Sequence, residues 1–253
     1  MITCIMEWVQ GRQAVVTGGG RGIGRSIARA LTQAGATVTI LGRGRAALDE
    51  AVAAGDAAWA HGVDVTDGPA LRTILDGTEW DILVNNAGGA ETGKLADTGP
   101  PQWDRMIALN LTAVYTACHA VLPGMMARGT GRVISIASTA GLVGYPYVSA
   151  YCAAKHGVVG LTRALALEAA RSGVTVNAVC PGYTDTDLVT ASAAAVAART
   201  GRSVDDIHAS YARTSPTGRL VQPDEVADAV LYLCRAPSMT GQALAVAGGE
   251  VMP

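Results

Sequence analysis

Short runs that are apolar almost without interruption, such as "DILVNN" and "RVISIAS", alternate along this chain with alanine-rich stretches of helical period. A strand reads that way when helices cover both of its faces, the condition of a parallel strand inside a sheet. Strict alternation of strand and helix then implies an α/β architecture: a doubly wound parallel sheet with right-handed crossovers and helices on both faces. Seven strands are expected, at Gln13–Thr17, Thr37–Leu41, Ala58–Val63, Asp81–Asn86, Gly131–Ser138, Thr175–Val179 and Ala243–Ala247. Helices are expected at Gly22–Ala34, Arg45–Ala53, Gly68–Leu75, Pro101–Ala127, Tyr151–Arg171 and Pro223–Cys234. No interior linker divides them, so residues 1–253 are read as a single domain. The stretch Leu188–Arg219 interrupts the alternation and is too long for an ordinary connection. Its segments "LVTASAAAVAART" and "VDDIHASYARTSP" read as two amphipathic helices closing over a cleft, a lid at about 188–219.

Composition narrows the partners. The chain is 49% hydrophobic and 16% charged, with a formal charge of -2, which argues against a nucleic-acid groove or an anionic membrane surface. Five cysteines, Cys4, Cys118, Cys152, Cys180 and Cys234, are scattered and lack metal-ligand spacing. They fit a reduced, cytoplasmic setting and no metal site. The start "MITCIMEWVQ" has no basic n-region or cleavage pattern. No apolar stretch of about 20 residues is free of Gly, Pro or charge, so no membrane span is expected.

After the first strand comes "TGGGRGIG", Thr17 to Gly24. Backbone amides at a helix N-terminus attract phosphate, and glycine lets a pyrophosphate come close. Gly18, Gly22 and Gly24 fit that task, and Gly20 and Ile23 share the turn. About twenty residues further on, an NAD site carries an acid for the ribose 2′-hydroxyl. Here strand two ends in "TILGRGR", with no Asp or Glu before Asp49. Arg43 stands where the acid is missing, and Arg21 lies in the turn. Two guanidinium groups suit a 2′-phosphate, which favours NADP(H) over NAD(H). Solvated loop charges at Arg43 and Arg45 are the alternative. In "GVDVTD", Asp64 beside Val65 is placed for the adenine amino group, or to cap the next turn, for which Asp67 is better suited. "NNAG" brings Asn86, Ala87 and Gly88 to the end of strand four, beside a ribose; such ligands collect at the carboxyl ends of strands.

"SAYCAAKHG" sets Tyr151 and Lys155 four residues apart, on one helix face. An unperturbed phenol, with a pKa of about 10, exchanges its proton poorly at neutral pH, and a nearby ammonium favours phenolate. Lys155 is therefore expected to lower the pKa of Tyr151, which transfers the proton. A buried tyrosine ring beside a lysine reaching for solvent is the bland alternative. Ser138, thirteen residues upstream, and the glycine turn argue against it.

Over essentially its full length the chain resembles a short-chain dehydrogenase/reductase. The resemblance rests on "TGGGRGIG", "NNAG", Asn110 in "IALNLT", Ser138, "YCAAK" and "PGYTDT". It implies a Rossmann fold and a catalytic tetrad of Asn110, Ser138, Tyr151 and Lys155. Asn110 would hold a proton-relaying water through its backbone, Ser138 would bond the reacting oxygen, and Lys155 would also bind the nicotinamide ribose. Pro181, Gly182, Thr184 and Thr186 would meet the carboxamide. "GTGRVISIAS", "KHGVVGLTRALALE", "GVTVNAVCPG" and "GRLVQPDEVADAVLYL" resemble 3-oxoacyl carrier-protein reductases and polyketide ketoreductases. The implied substrate is a small-molecule or thioester-bound ketone, on a carrier protein or CoA, met by Ser138, Tyr145, Tyr147 and Tyr183. An NAD-dependent dehydrogenase of a hydroxyacyl-CoA, cyclic or aryl alcohol is a second reading, and a non-catalytic cofactor-sensing scaffold a third. Arg199, Arg202 and Arg213 either contact a carrier or CoA phosphates or pair with Asp205 and Asp206. By analogy the fourth and fifth helices pair into a homotetramer, with Cys118, Val121, Leu122, Leu161, Leu165 and Leu167 as the apolar stripe.

Overall fold

A computed structural model describes residues 8–252; Cys4 and most of "MITCIMEWVQ" fall outside them. Seven parallel strands form one sheet in the order β3-β2-β1-β4-β5-β6-β7. They are β1 (Gln13–Thr17), β2 (Thr37–Gly42), β3 (Trp59–Gly62), β4 (Ile82–Asn85), β5 (Gly131–Ile136), β6 (Val174–Pro181) and β7 (Ala243–Val246). The helices are α1 (Gly22–Gln33), α2 (Arg45–Ala53), α3 (Gly68–Leu75), α4 (Pro100–Ile107), α5 (Ala113–Arg128), α6 (Ser149–Ala169), α7 (Asp187–Thr200), α8 (Val204–Ala212) and α9 (Pro223–Arg235).

Successive strand residues point to opposite faces, so each central strand feeds two cores. Val15 and Leu83 join Leu71, Ala117, Met125 and Val158 from α3, α5 and α6. Ala14, Val16 and Val84 join Ile27, Leu31, Val226 and Val230 from α1 and α9. β1 pairs with both β2 and β4, Val15 lying opposite Thr39 and Leu83. The winding therefore reverses between β1 and β4. The carboxyl ends of those strands open a crevice where "TGGGRGIG" and "NNAG" meet.

Three expectations change. The single helix Pro101–Ala127 is instead α4 and α5 joined by a π turn at Ala108–Thr112, centred on Asn110. β5 ends at Ile136, two residues early, because Ser138 turns to cap a 3₁₀ turn at Thr139–Gly141. Cys118, Val121 and Leu122 do not form an outer stripe; they are buried in the chain's own core, whereas Leu167 is 80% exposed. By length and composition the run Pro100–Arg128 would suffice to cross a bilayer, with a mean hydropathy of 1.4 over its best window. Its inner side, from Met106 to Met125, is instead packed into this core or against the loop after β4.

Candidate active site

The glycine turn is shaped by what surrounds it. Thr17, at the end of β1, accepts hydrogen bonds at Oγ1 from the Asn86 and Ala87 amides, at 2.9 and 3.0 Å. Asn86 returns two through Nδ2, to Thr17 O and Gly18 O. Gly18 has φ 67°, in the region that favours glycine, and a Cβ there would lie 2.8 Å from Asn86 Nδ2. A Cβ at Gly24 would strike the Gly18 carbonyl and Asn86 Nδ2. The turn is thus a backbone cradle that any side chain would fill, at the N-terminus of α1. This is the geometry that takes a pyrophosphate. Across the groove, a Cβ at Gly22 would lie 3.3 Å from Thr186 Cγ2, so the starts of α1 and α7 face each other closely.

Beside the end of β2, Arg21 and Arg43 both line the cavity. Arg43 Nη1 lies 3.8 Å from Asp64 Oδ2, and both side chains are exposed, so this pair contributes little on its own. Asp64 accepts from the Thr66 amide and hydroxyl, which hold its carboxyl below the usual range, with Arg43 adding to the effect. Asp67 caps α3, accepting from the Ala70 amide.

At the other end, β5 and α6 assemble the polar groups. Ser138 Oγ accepts from the Ala140 amide at 3.1 Å, which leaves its own O–H free to donate. The turn it caps lies flat on α6, since a Cβ at Gly141 would meet the Lys155 carbonyl at 2.7 Å. Lys155 is 3% exposed and its Nζ donates to Ile136 O at 2.8 Å. Burial pushes its ammonium down to about 8. Nζ stands 5.7 Å from the centroid of the Tyr151 ring. Gly88 brings Asn110 into the group: a Cβ there would lie 2.9 Å from Asn110 Oδ1 and 3.5 Å from Lys155 Nζ. Asn110 is buried and clamps the loop after β4, donating to Gly89 O and accepting from Gly89 N.

The electrostatics correct one expectation. Burial pushes the Tyr151 phenol up, Ser138 opposes this, and Lys155 does not reverse it. In the protein alone Tyr151 is held as the neutral phenol. The reason is that burial penalises phenolate, and a lysine already bonded to a carbonyl does not offset that penalty.

Every residue assigned from the sequence to catalysis, the dinucleotide or the substrate, apart from Asn110 and Arg213, lines one cavity of about 1540 Å³. A pocket for one drug-sized ligand spans roughly 300–1,000 Å³, so a dinucleotide and a second molecule have room. Asn110 stands behind the wall, at Gly89. The lid is α7 and α8, as the sequence suggested, and Leu188, Ser192, Ile207 and Tyr211 from it face the cavity. Tyr211 stacks on Tyr183 with centroids 4.2 Å apart, and Arg199 donates to Thr92 on the opposite rim. Among the described residues, no ion pair joins Arg199, Arg202 or Arg213 to Asp205 or Asp206, which corrects the pairing weighed above. The two acids occupy the first turn of α8, where the helix dipole favours negative charge. Tyr147 lines the mouth at φ 67°, the one non-glycine in that region among the described residues. Sequence reasoning missed the tying role of Thr17, and it missed Glu250, which accepts a hydrogen bond from Tyr145. Thr17 was legible as the residue opening the turn; Glu250 carries no motif.

A family model described as short chain dehydrogenase matches residues 12–197. The D-beta-hydroxybutyrate dehydrogenase of Cupriavidus necator is 39% identical over 235 residues, 89% of this chain and 91% of that one. The 3-oxoacyl (acyl-carrier-protein) reductase of Vibrio harveyi is 40% identical over 255 residues, 96% of this chain and 99% of that one. Among solved structures, a variant of the actinorhodin polyketide ketoreductase with NADPH superposes with a TM-score of 0.90 at 37% identity, covering 95% of this chain and 97% of that one.

Proposed function

The chain belongs to the short-chain dehydrogenase family, and from that premise we propose that it reduces a ketone to a secondary alcohol with NADPH. The proposed substrate is a 3-oxoacyl thioester or a polyketide-like ketone. The observation that carries the reading is the convergence of Ser138, Tyr151 and Lys155 at one end of the cavity, with Asn110 locked behind Gly88. A bound nicotinamide supplies the hydride; the protein supplies geometry and a proton. The glycine turn, where Gly18 and Gly24 have no room for a Cβ, and Gly88 beside Lys155 fit such a group, and Pro181, Gly182, Thr184 and Thr186 edge the same groove.

Ser138 donates its free O–H to the carbonyl oxygen, and Tyr151 donates the second hydrogen bond as charge builds there. Tyr151 then releases its proton to that oxygen. Lys155, with a pKa of about 8, resupplies it through Nζ. A phenol held neutral at physiological pH is the form that reduction consumes. Lys94, Arg199 and Arg202 are exposed at the mouth, where the phosphates of a carrier-bound or CoA-bound substrate would meet them. The relative named for D-beta-hydroxybutyrate favours the second reading, an alcohol dehydrogenase on the same site.

The cofactor preference rests on Arg21 and Arg43 flanking the adenosine end. A panel of ketones and acyl thioesters, followed by nicotinamide absorbance, tests substrate and cofactor together. Wild type should favour NADPH over NADH by about 10- to 100-fold in kcat/KM, the worth of one or two charge-assisted bonds. Arg43→Asp should reverse the order, and a wild type that prefers NADH refutes the assignment.

The homotetramer is proposed from α5 and α6, which expose Tyr115, His119 and Leu167 on the surface. Sedimentation at micromolar concentration should show dimers or tetramers; a monomer refutes it.

A further inference from the structure

Glu250 follows β7 and belongs to none of the motifs above. Its Oε1 accepts the Tyr145 hydroxyl proton at 2.5 Å. Its Oε2 is buried and has no hydrogen-bond partner among the described residues. That oxygen is pressed against Gly182, where a Cβ would lie 2.6 Å from it. Tyr145 and Gly182 both line the cavity, so the carboxylate sits directly behind the wall of its reacting end. Tyr145 has one proton to give. With that proton directed at Glu250, the Thr139 hydroxyl, 3.0 Å away, is left to donate to the Tyr145 oxygen. The phenol is thereby used up as a donor and presents the cavity with its ring.

The field of Glu250 extends past its contacts. Tyr183 is pushed up to about 12, first by burial, then by Tyr211 and then by Glu250. Cations in the cavity are distributed in the opposite sense. Arg21 and Arg43 stand at the adenosine end, while Lys94, Arg199 and Arg202 lie exposed at the mouth. At the reacting end the one cation among the described lining residues is Lys155, already bonded to Ile136 O.

We propose that Glu250 is a specificity-determining residue that excludes anions from the reacting end, so that the substrate is uncharged beside its ketone and short 3-oxo acids are refused. The proposal rests on the ketoreductase reading and narrows its substrate class. The reacting oxygen escapes the same penalty because Ser138 and Tyr151 donate to it as its charge forms. A substrate carboxylate meets no free cation there among the described lining residues, and the charge of the half-buried Glu250 acts on it across several ångströms.

The test pairs benzoylacetate and acetoacetate with their ethyl esters. With NADPH, wild-type kcat/KM should favour the esters by about 30-fold or more, a Coulombic effect of moderate range. Glu250→Gln keeps an acceptor for Tyr145 and should narrow that ratio by about tenfold, through a gain on the acids. Tyr145→Phe breaks the hydrogen bond, leaves the charge, and should keep the wild-type ratio. Parallel losses on acid and ester in Glu250→Gln, or equal narrowing in Tyr145→Phe, overturn the proposal, because Glu250 would then only hold Tyr145 in place. Calorimetry of benzoylacetate and its ester, with NADP present, needs no turnover. The ester should bind more tightly, and Glu250→Gln should close the gap. An acid that binds as well as the ester, or failure of both to bind, overturns the proposal. Loss of turnover with this binding pattern intact refutes the reductase reading alone.

Discussion

Tyr151→Phe should reduce turnover by about 10² or more while the protein keeps its affinity for the dinucleotide, the scale of a lost general acid. The substitution removes one oxygen and leaves the ring packed at the start of α6. The cradle at Gly18, Gly22 and Gly24 lies at the far end of the cavity and is untouched. Ser138 still offers its O–H to the carbonyl, so part of the transition-state stabilisation survives; what disappears is the proton. The pH dependence follows from burial, which raises the Tyr151 pKa and keeps the phenol neutral near pH 7. Reduction consumes phenol and should be favoured at neutral pH; oxidation of the alcohol needs phenolate and should speed up as pH rises. Stopped-flow turnover beside a fluorescence titration of the dinucleotide separates chemistry from binding. Near-normal turnover in Tyr151→Phe removes Tyr151 from the mechanism, and with persistent biological function it would favour a cofactor-sensing scaffold.

The parts that follow a period or a backbone requirement were legible in the sequence. The strand–helix alternation gave α2 and α3 to the residue, because their apolar spacing is local and Asp67 caps α3. Gly18 and Gly24 of the first turn were legible for a similar reason, since each sits where a Cβ would meet backbone and Asn86. The break at Ala108–Thr112 was not, because a π turn is one extra residue in a helix and leaves the apolar period almost unchanged. It serves tertiary ends, aiming Asn110 at Gly89. Glu250 was hidden for another reason. Its partner Tyr145 is 105 residues away, and an acid after the last strand reads as a solvated charge until the fold brings the two together. The upward shift of Tyr151 in the cofactor-free protein was not legible, because spacing shows which charge is near, whereas desolvation depends on the surrounding packing.

Lys155→Met should lose turnover by about 10² or more and yet leave the cofactor-free protein as stable as wild type, or more stable, at neutral pH. The lysine is almost fully buried, and its pKa falls from 10.5 to about 8 because its charged form is desolvated. A downward shift of that size corresponds to roughly 3 kcal/mol of cost for holding the ammonium in the fold. Methionine removes that cost but leaves Ile136 O without its donor, at about 1–3 kcal/mol. The net gain at pH 7 lies between zero and about 2 kcal/mol, or up to several degrees in Tm for a chain of this size. The sign with pH follows from proton counting. Between about pH 8 and 10.5 the unfolded lysine binds more protons than the folded one, so wild-type stability gains as pH rises through that window. The cost is fully present below about pH 8 and gone above 10.5, where neutral Lys155 still donates to Ile136 O and methionine cannot. The advantage of Lys155→Met should therefore shrink with rising pH and invert near the top of the window. Thermal melts of both proteins at pH 7 and pH 10.5 decide it. A variant destabilised equally at both would mean that Lys155 is held by packing and carries no buried-charge penalty. The pKa of about 8 would then lose its place in the proton supply to Tyr151.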